Sequence, residues 1–226
     1  MQWLYRLERK YGRFAVPNLM IYITLTMLAV YILQGVVGIP VMPWLAFSRA
    51  AILRGQIWRL ITFVFSPPGS GVLTVVIALY FYYFIGSSLE NAWGAFQFNV
   101  YYLFGILGAI IAGFISGSTT NTYLNLSLFL AFAQLYPEQR VLLFFIIPVK
   151  VKWLAWADWA LFGLQFLAGV FYGFVYKDWS TCAAILMSLL NFFLFFGPGF
   201  ADRWKNNRRY SATRRNWRRE MGDKRW

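Results

Sequence analysis

The feature that most constrains this fold is a series of six long apolar runs. Hydrophobic residues make up 60% of the chain and charged residues only 13%, about half the charged share of soluble domains. A globule of 226 residues cannot bury so much apolar surface, so lipid must solvate much of it. The runs cover residues 17–37, 71–89, 96–116, 121–136, 154–174 and 180–197.

The lengths of these runs indicate membrane spans. A helix needs roughly 20 residues to cross about 30 Å of hydrocarbon. The fourth and sixth runs are shorter, and they can span only if they are tilted, packed among other helices or surrounded by a thinned bilayer. For one short run a soluble core helix is a reasonable alternative, but for all six it is not. The sequence predicts an all-α membrane protein with six transmembrane helices.

The distribution of basic residues favours an even number of spans. Of the 21 Lys and Arg residues, four precede the first run, three lie in the 137–153 connection and ten follow Phe200. Cytoplasmic loops of membrane proteins carry an excess of Lys and Arg. Placing those three regions in the cytoplasm leaves only Arg49, Arg54, Arg59 and Lys177 outside. We therefore expect both termini in the cytoplasm.

Three regions divide the chain. Residues 1–15 place apolar side chains at helical spacing with basic ones between them, which is typical of an amphipathic helix in the membrane interface. Residues 16–200 form the six-span membrane domain. Its connection 38–70 is long and apolar, so we expect it to lie partly within the bilayer boundary, with its backbone groups satisfied by protein. Residues 201–226 form a basic cytoplasmic tail.

The composition of the tail and the single cysteine limit which lipids, nucleic acids and metals we expect the chain to bind. Basic residues interleaved with aromatic ones suit anionic lipid headgroups or nucleic acid, and beside a membrane span the lipid is the simpler expectation. Nucleic acid is disfavoured. Cys182 lies in an apolar run, where a small buried hydrophobe is expected instead of a nucleophile or ligand. With no histidine and no second cysteine, we expect neither a metal nor a cofactor.

Three motifs outside the apolar faces follow one another along the chain. Segment 55–65 reads GQIWRLITFVF and contains Gly55, Gln56, Trp58 and Arg59. Segment 86–94 reads GSSLENAWG and contains Glu90 and Gly94. After the fourth run come Leu135-Tyr136-Pro137 and, over 141–153, VLLFFIIPVKVKW.

These motifs resemble the rhomboid superfamily, which includes the rhomboid proteases and the derlins. The first is similar to that family's GQ-x-WR-L-x-T-x-x-F signature, and the second to its G-x-x-x-E-x-x-x-G stretch. The third is similar to the connection after the fourth span of bacterial rhomboids. The resemblance covers residues 15–197. It implies a rhomboid-like bundle of six transmembrane helices with a long, partly membrane-embedded first loop, located in a bacterial plasma membrane.

Two motif residues have roles that physical chemistry suggests. A guanidinium at membrane depth is costly unless it binds carbonyls or a carboxylate. We therefore expect Arg59 to be held inside the protein, where it shapes the loop; the alternative is that it snorkels to the surface. Glu90 lies where the second run meets the cytoplasm, and we expect it to cap the next helix through backbone N–H groups.

The catalytic part of the family pattern is missing. Rhomboid proteases carry G-x-S-G at the start of the fourth span and a histidine in the sixth. By this resemblance Thr122 replaces the serine and Tyr123 the following glycine, and the chain has no histidine at all. A hydroxyl needs a base to accept its proton, and histidine is the usual base at neutral pH. The resemblance therefore implies a degenerate nucleophile position and no catalytic residues.

We interpret the chain as a non-catalytic rhomboid-like protein, similar to inactive rhomboids and derlins, that binds or routes transmembrane client proteins, as in protein quality control. Asn121 and Asn125 would offer polar groups to a client helix. The alternative is a rhomboid-type intramembrane serine protease with an unorthodox active site, using the hydroxyl of Thr122 or Ser127. Asp158 is the only acid well inside a run, and we expect it to pair with a nearby lysine, Lys150 or Lys152.

Overall fold

The structure is a computed structural model that describes residues 2–69, 71–143, 147–176, 179, 181–183 and 185–197. Residues 201–226, and with them the expected lipid-binding tail, lie outside the described residues. The described chain is mostly helical. Its helices are α1 (Gln2–Tyr11), α2 (Leu19–Gly35), α3 (Met42–Leu45), α4 (Arg49–Leu53), α5 (Arg59–Thr62), α6 (Val72–Trp93), α7 (Ala95–Ser116), α8 (Thr122–Leu135), α9 (Val151–Tyr176) and α10 (185–197).

The long helices coincide with the six apolar runs. By length and composition α6, α7 and α9 can each cross a membrane. A fourth span results if Arg6–Phe14 and Leu19–Gly35, which are bent by 47° relative to each other, are counted as one. α8 and the helix around α10 are apolar but shorter. The described residues thus form an α-helical membrane protein with three or four spans by this criterion, and helix length does not establish six.

α8 forms the centre of the bundle. Nearly every residue from Leu124 to Ala133 is buried, and the helix packs against α6, α7 and α9. A helix that is apolar all round belongs in a core or in a membrane. Two polar residues of α8, Asn125 and Ser127, are also buried. They are therefore surrounded by protein.

The contact between α2 and α6 explains the second motif. Gly86 lies against Met20, whose side chain a Cβ at position 86 would overlap. One turn further on, Glu90 Oε1 accepts a hydrogen bond of 2.6 Å from the backbone N–H of Asn18, just before α2. The prediction that Glu90 caps the next helix is wrong, because the end of α6 lies beside the start of α2. Gly94, with φ of 87°, provides the break before α7.

The first loop is organised around Arg59, which is buried. Nη1 donates to the carbonyl of Ala46 at 2.7 Å, Nη2 to that of Pro43 at 2.6 Å, and Nε to Gln56 Oε1 at 2.6 Å. The expectation that Arg59 is held inside the protein is confirmed, and the snorkelling alternative is wrong. These three bonds pair the N–H donors of the planar guanidinium with acceptors from two segments of the loop, residues 43–46 and Gln56.

Neighbouring residues complete the same loop. Trp58 Nε1 donates to the carbonyl of Trp44 at 3.2 Å, and Thr62 Oγ1 donates to that of Leu45 at 3.0 Å. Gly55 begins the motif with φ of 99°, a conformation that side chains disfavour. Backbone carbonyls over 43–46 are therefore satisfied by protein donors, as expected for a connection at the membrane boundary.

The N-terminal helix is also present. α1 and a 3₁₀ turn, Gly12–Phe14, lie beside the start of α7. Gln97 Nε2 donates to Glu8 Oε2 at 3.3 Å, and Asn99 Nδ2 donates to the carbonyl of Val16 at 3.1 Å. The helical part of the prediction for residues 1–15 is confirmed, and the interfacial location stays a prediction.

A β-hairpin between α8 and α9 corrects the all-α prediction locally. β1 (Arg140–Leu143) pairs antiparallel with β2 (Ile147–Lys150), with Val141 opposite Val149. Glu138 accepts hydrogen bonds from Lys150 Nζ at 2.8 Å and Lys152 Nζ at 2.9 Å. These bonds and the two positive charges lower the pKa of Glu138 to about 2. The base of the hairpin is thus closed by ion pairs that use both lysines.

Candidate functional site

Thr122 and Tyr123, which the rhomboid resemblance aligns with the nucleophile motif, lie at the start of α8. Thr122 is exposed, and its Oγ1 accepts a bond of 3.3 Å from Thr120 Oγ1. The Tyr123 hydroxyl donates to Gln165 Oε1 on α9 at 3.0 Å, while its carbonyl accepts from Ser188 Oγ on α10 at 2.6 Å. Tyr123 therefore joins three helices at the position that the resemblance aligns with a glycine of rhomboid proteases.

Ser127, the other hydroxyl of the protease alternative, is buried in a neutral cluster. Its Oγ lies 2.6 Å from the Tyr101 hydroxyl, and Asn191 Nδ2 donates to it at 3.4 Å. Neither neighbour is a base at neutral pH. The adjoining cavity measures about 10 Å³, no more than one water needs. This arrangement packs α7, α8 and α10 together and leaves no room for a peptide.

A laterally open cleft lies between α6 and α9, with α8 as its floor. α8 packs closely against both helices, whereas α6 and α9 do not pack closely against each other over their described lengths. The cleft has a volume of about 380 Å³, within the range of ligand pockets. Its walls are mainly apolar and include Phe81 and Ile85 on α6, Leu126 and Phe129 on α8, and Ala157 and Leu161 on α9. Thr122, at the start of α8, also lines the cleft.

Buried polar side chains line this cleft. Asn125 and Asp158 are 4% and 5% exposed. Both amide atoms of Asn125 and the Asp158 Oδ2 atom have no hydrogen-bond partner among the described residues. The Tyr82 hydroxyl approaches the Asn125 amide without a bond of good geometry. Each buried group left without a partner costs about 1–3 kcal/mol, so a ligand that reaches these atoms would gain hydrogen bonds.

The structure separates the two asparagines that the sequence suggested for client binding. Asn125 lines the cleft. Asn121 Nδ2 instead donates to the carbonyls of Val64 and Ser66, each at 2.8 Å. Asn121 therefore attaches the start of α8 to the first loop and is not among the residues that line the cleft, which corrects its expected role.

Asp158 is the site residue that sequence reasoning placed wrongly. It was expected to pair with Lys150 or Lys152, but both lysines bind Glu138. The spacing of Leu154, Asp158 and Leu161 puts all three on one face of α9. That spacing was the available signal, because an acid on an otherwise apolar helix face is expected to face a neighbour instead of water.

A bundle of apolar helices with polar groups at its centre defines the class of α-helical integral membrane proteins. Residues 19–196 match the model of a family described as eukaryotic integral membrane protein (DUF1751). The chain belongs to this family. Because that description is of eukaryotic proteins, the expected bacterial plasma membrane has no support. No curated protein matches the chain, and the resemblance to rhomboids stays a prediction.

Proposed function

We propose that this chain is a non-catalytic, rhomboid-like membrane protein that binds a transmembrane helix of a client protein at the cleft between α6 and α9. The observation that carries the proposal is the lateral opening of the cleft. Ala157 and Leu161, at its α9 edge, are exposed. A volume of about 380 Å³ accommodates a few side chains of a helix lying against the mouth, and not a whole helix.

The proposed arrangement has six crossings, by α2 and α6–α10, with both termini in the cytoplasm. Two observations support the crossings by the shorter helices. α8 is buried from Leu124 to Ala133 except at Leu126, so its contact with lipid is small and its length need not match the bilayer. α10 packs on α8 through Ser188 and Asn191.

The non-catalytic part of the proposal is supported by the surroundings of the two hydroxyls. Among the described residues, Thr122 has only Thr120 as a bonded side chain, at 3.3 Å. Ser127 is enclosed by Tyr101 and Asn191. Neither contact supplies the proton acceptor that a hydroxyl nucleophile requires. The intramembrane serine protease is the alternative, and the same experiment addresses both.

The test uses the full chain in vesicles with a transmembrane peptide that contains a helix-destabilising Gly-Pro pair and a photo-crosslinker. Ala157→Phe fills the mouth of the cleft. Ala160→Phe is the matched control, since Ala160 is exposed on the same helix and does not line the cleft. We expect Ala157→Phe to lower crosslinking at least about fivefold, the effect of roughly 1 kcal/mol, and Ala160→Phe to leave it unchanged.

Cleavage of the peptide is measured in the same samples, beside an active rhomboid protease. We expect none. Equal crosslinking of wild type and Ala157→Phe would show that the cleft is not the binding site. Cleavage that disappears in Thr122→Ala or Ser127→Ala would replace the proposal with the protease.

A further inference from the structure

We infer that the cleft selects client helices that carry one basic residue, lysine or arginine, near their middle. This inference rests on the proposed function and names the class of client. Asp158 carries it, because this residue is 5% exposed and lines the cleft with Oδ2 unpartnered among the described residues.

The described cations do not neutralise Asp158. Lys150 and Lys152 bind Glu138, and Arg59 binds acceptors in the first loop. The described residues that line the cleft include no lysine or arginine. A buried carboxyl group stays ionised only when it is paired and hydrogen-bonded, so a cation brought by a ligand would stabilise the charged form of Asp158 in this cleft.

Asp158 lies within the apolar length of α9, about two turns from its start. At 1.5 Å per residue, Asp158 lies about 10 Å along α9 from Val151. Asn125 lies about 15 Å along α8 from Leu135. Both polar groups line the same cleft. A client lysine at that depth is costly in lipid, so pairing with Asp158 relieves two unfavourable burials at once.

Asn125 supplies a second acceptor for the same cation. Both atoms of its amide are unpartnered among the described residues, and it lines the same cleft as Asp158. An ammonium or guanidinium has donors for both oxygens and no acceptor. An acidic client residue would instead meet a like charge, which disfavours binding. The site thus discriminates by sign, and binding of an uncharged helix should be intermediate.

The test compares three peptides that differ only in the central residue of a leucine-alanine helix: Lys, Leu or Asp. Each carries a dansyl group and no tryptophan, and binding to the full chain in neutral-lipid vesicles is followed by energy transfer from the protein's tryptophans. We expect the Lys peptide to bind about tenfold more tightly than the Leu peptide. The corresponding binding free energy lies within the range of interhelical polar contacts in membranes. The Asp peptide should bind no better than the Leu peptide.

Two variants assign the effect to the cleft. Asp158→Asn keeps the shape of the side chain and removes its charge, and it should reduce the advantage of the Lys peptide to within about twofold. Glu138→Gln is the matched control, because Glu138 lies outside the cleft at the hairpin, and it should keep the advantage. Circular dichroism and gel filtration establish that each variant is folded. The comparison of peptides on the wild type needs no variant at all.

The outcomes are distinguishable. If Lys and Leu peptides bind equally, the selectivity is overturned while client binding stands. If the Lys advantage persists in Asp158→Asn, Asp158 is not its cause and the inference is overturned. If no peptide binds above vesicles without protein, the proposed function fails, and the inference fails with it.

Discussion

At the scale of single residues, one guanidinium determines the path of the first loop. Arg59 joins α5 to the segment around α3 through two carbonyls that lie 13 and 16 residues before it in sequence. Because Arg59 is buried, each of its bonds satisfies a carbonyl that would otherwise need water. The planar fork reaches several acceptors at once, which a lysine ammonium on a flexible stem does not.

We therefore predict that Arg59→Lys destabilises the protein by roughly 1–3 kcal/mol, the cost of leaving buried acceptors unsatisfied. Arg54→Lys is the control, since Arg54 is exposed in the same loop, and it should change stability by less than about 0.5 kcal/mol. The free energy of unfolding, measured by detergent titration in mixed micelles, distinguishes them. Equal changes in the two variants would contradict the role given to Arg59.

At the scale of elements, close packing of α2 on α6 depends on one glycine. Gly86 faces Met20 so closely that any Cβ requires the methionine or the helices to move. Met20 is 1% exposed and is enclosed by the core, so little space is available for that movement. Glu90 fixes the same pair of helices one turn further on through the N–H of Asn18.

Gly86→Ala should accordingly destabilise the protein by about 1–3 kcal/mol, the usual cost of overpacking a core. Gly163→Ala on α9 is the matched substitution, because a Cβ there has no neighbour within 4 Å among the described residues. It should be neutral or stabilising by up to about 1 kcal/mol through helix propensity. The same unfolding titration measures both. A neutral Gly86→Ala would mean that α2 and α6 are further apart than described.

Elements were predictable from the sequence to different degrees. The apolar runs gave the long helices within a few residues, because a bilayer requires long uninterrupted apolar segments. The hairpin at 140–150 was missed, since short apolar strands do not differ in periodicity from the end of a helix. The partners of Glu90 and Asp158 were missed for another reason. Sequence neighbours suggested them, whereas tertiary packing brought Asn18 to Glu90 and Glu138 to both lysines.

The candidate site was predictable only in part. Asn125 lies where the sequence suggested a polar group for a client, while Asn121 is used by the loop. Both are buried polar residues at the start of α8. Their sequence contexts are alike, and only the position of residues 64–66 determines which of the two lines the cleft.

At the scale of the whole molecule, the number of crossings determines which surfaces share a compartment. α8 has 14 residues, about 21 Å of helix, against roughly 30 Å of hydrocarbon. A complete crossing places Ser118 and Gln139, on either side of α8, in different compartments. The proposed topology also places Gln139 on the same side as Arg9 in α1.

We predict this pattern for labelling with a membrane-impermeant maleimide in sealed vesicles. Single cysteines at three exposed positions, Arg9→Cys, Ser118→Cys and Gln139→Cys, are introduced into a Cys182→Ala background. Cysteines at positions 9 and 139 should react from one side and that at 118 from the other. Reaction of 118 and 139 from the same side would exclude a crossing by α8 and with it the six-span topology.

The burial of α8 has a consequence for biogenesis. A short segment that contains Asn125 and Ser127 and is enclosed by α6, α7 and α9 gains little from partitioning into lipid alone. Its insertion must be coupled to docking against helices that are synthesised before and after it. The protein therefore cannot mature strictly in the order of translation: α8 becomes stable only when the nascent chain has delivered α9.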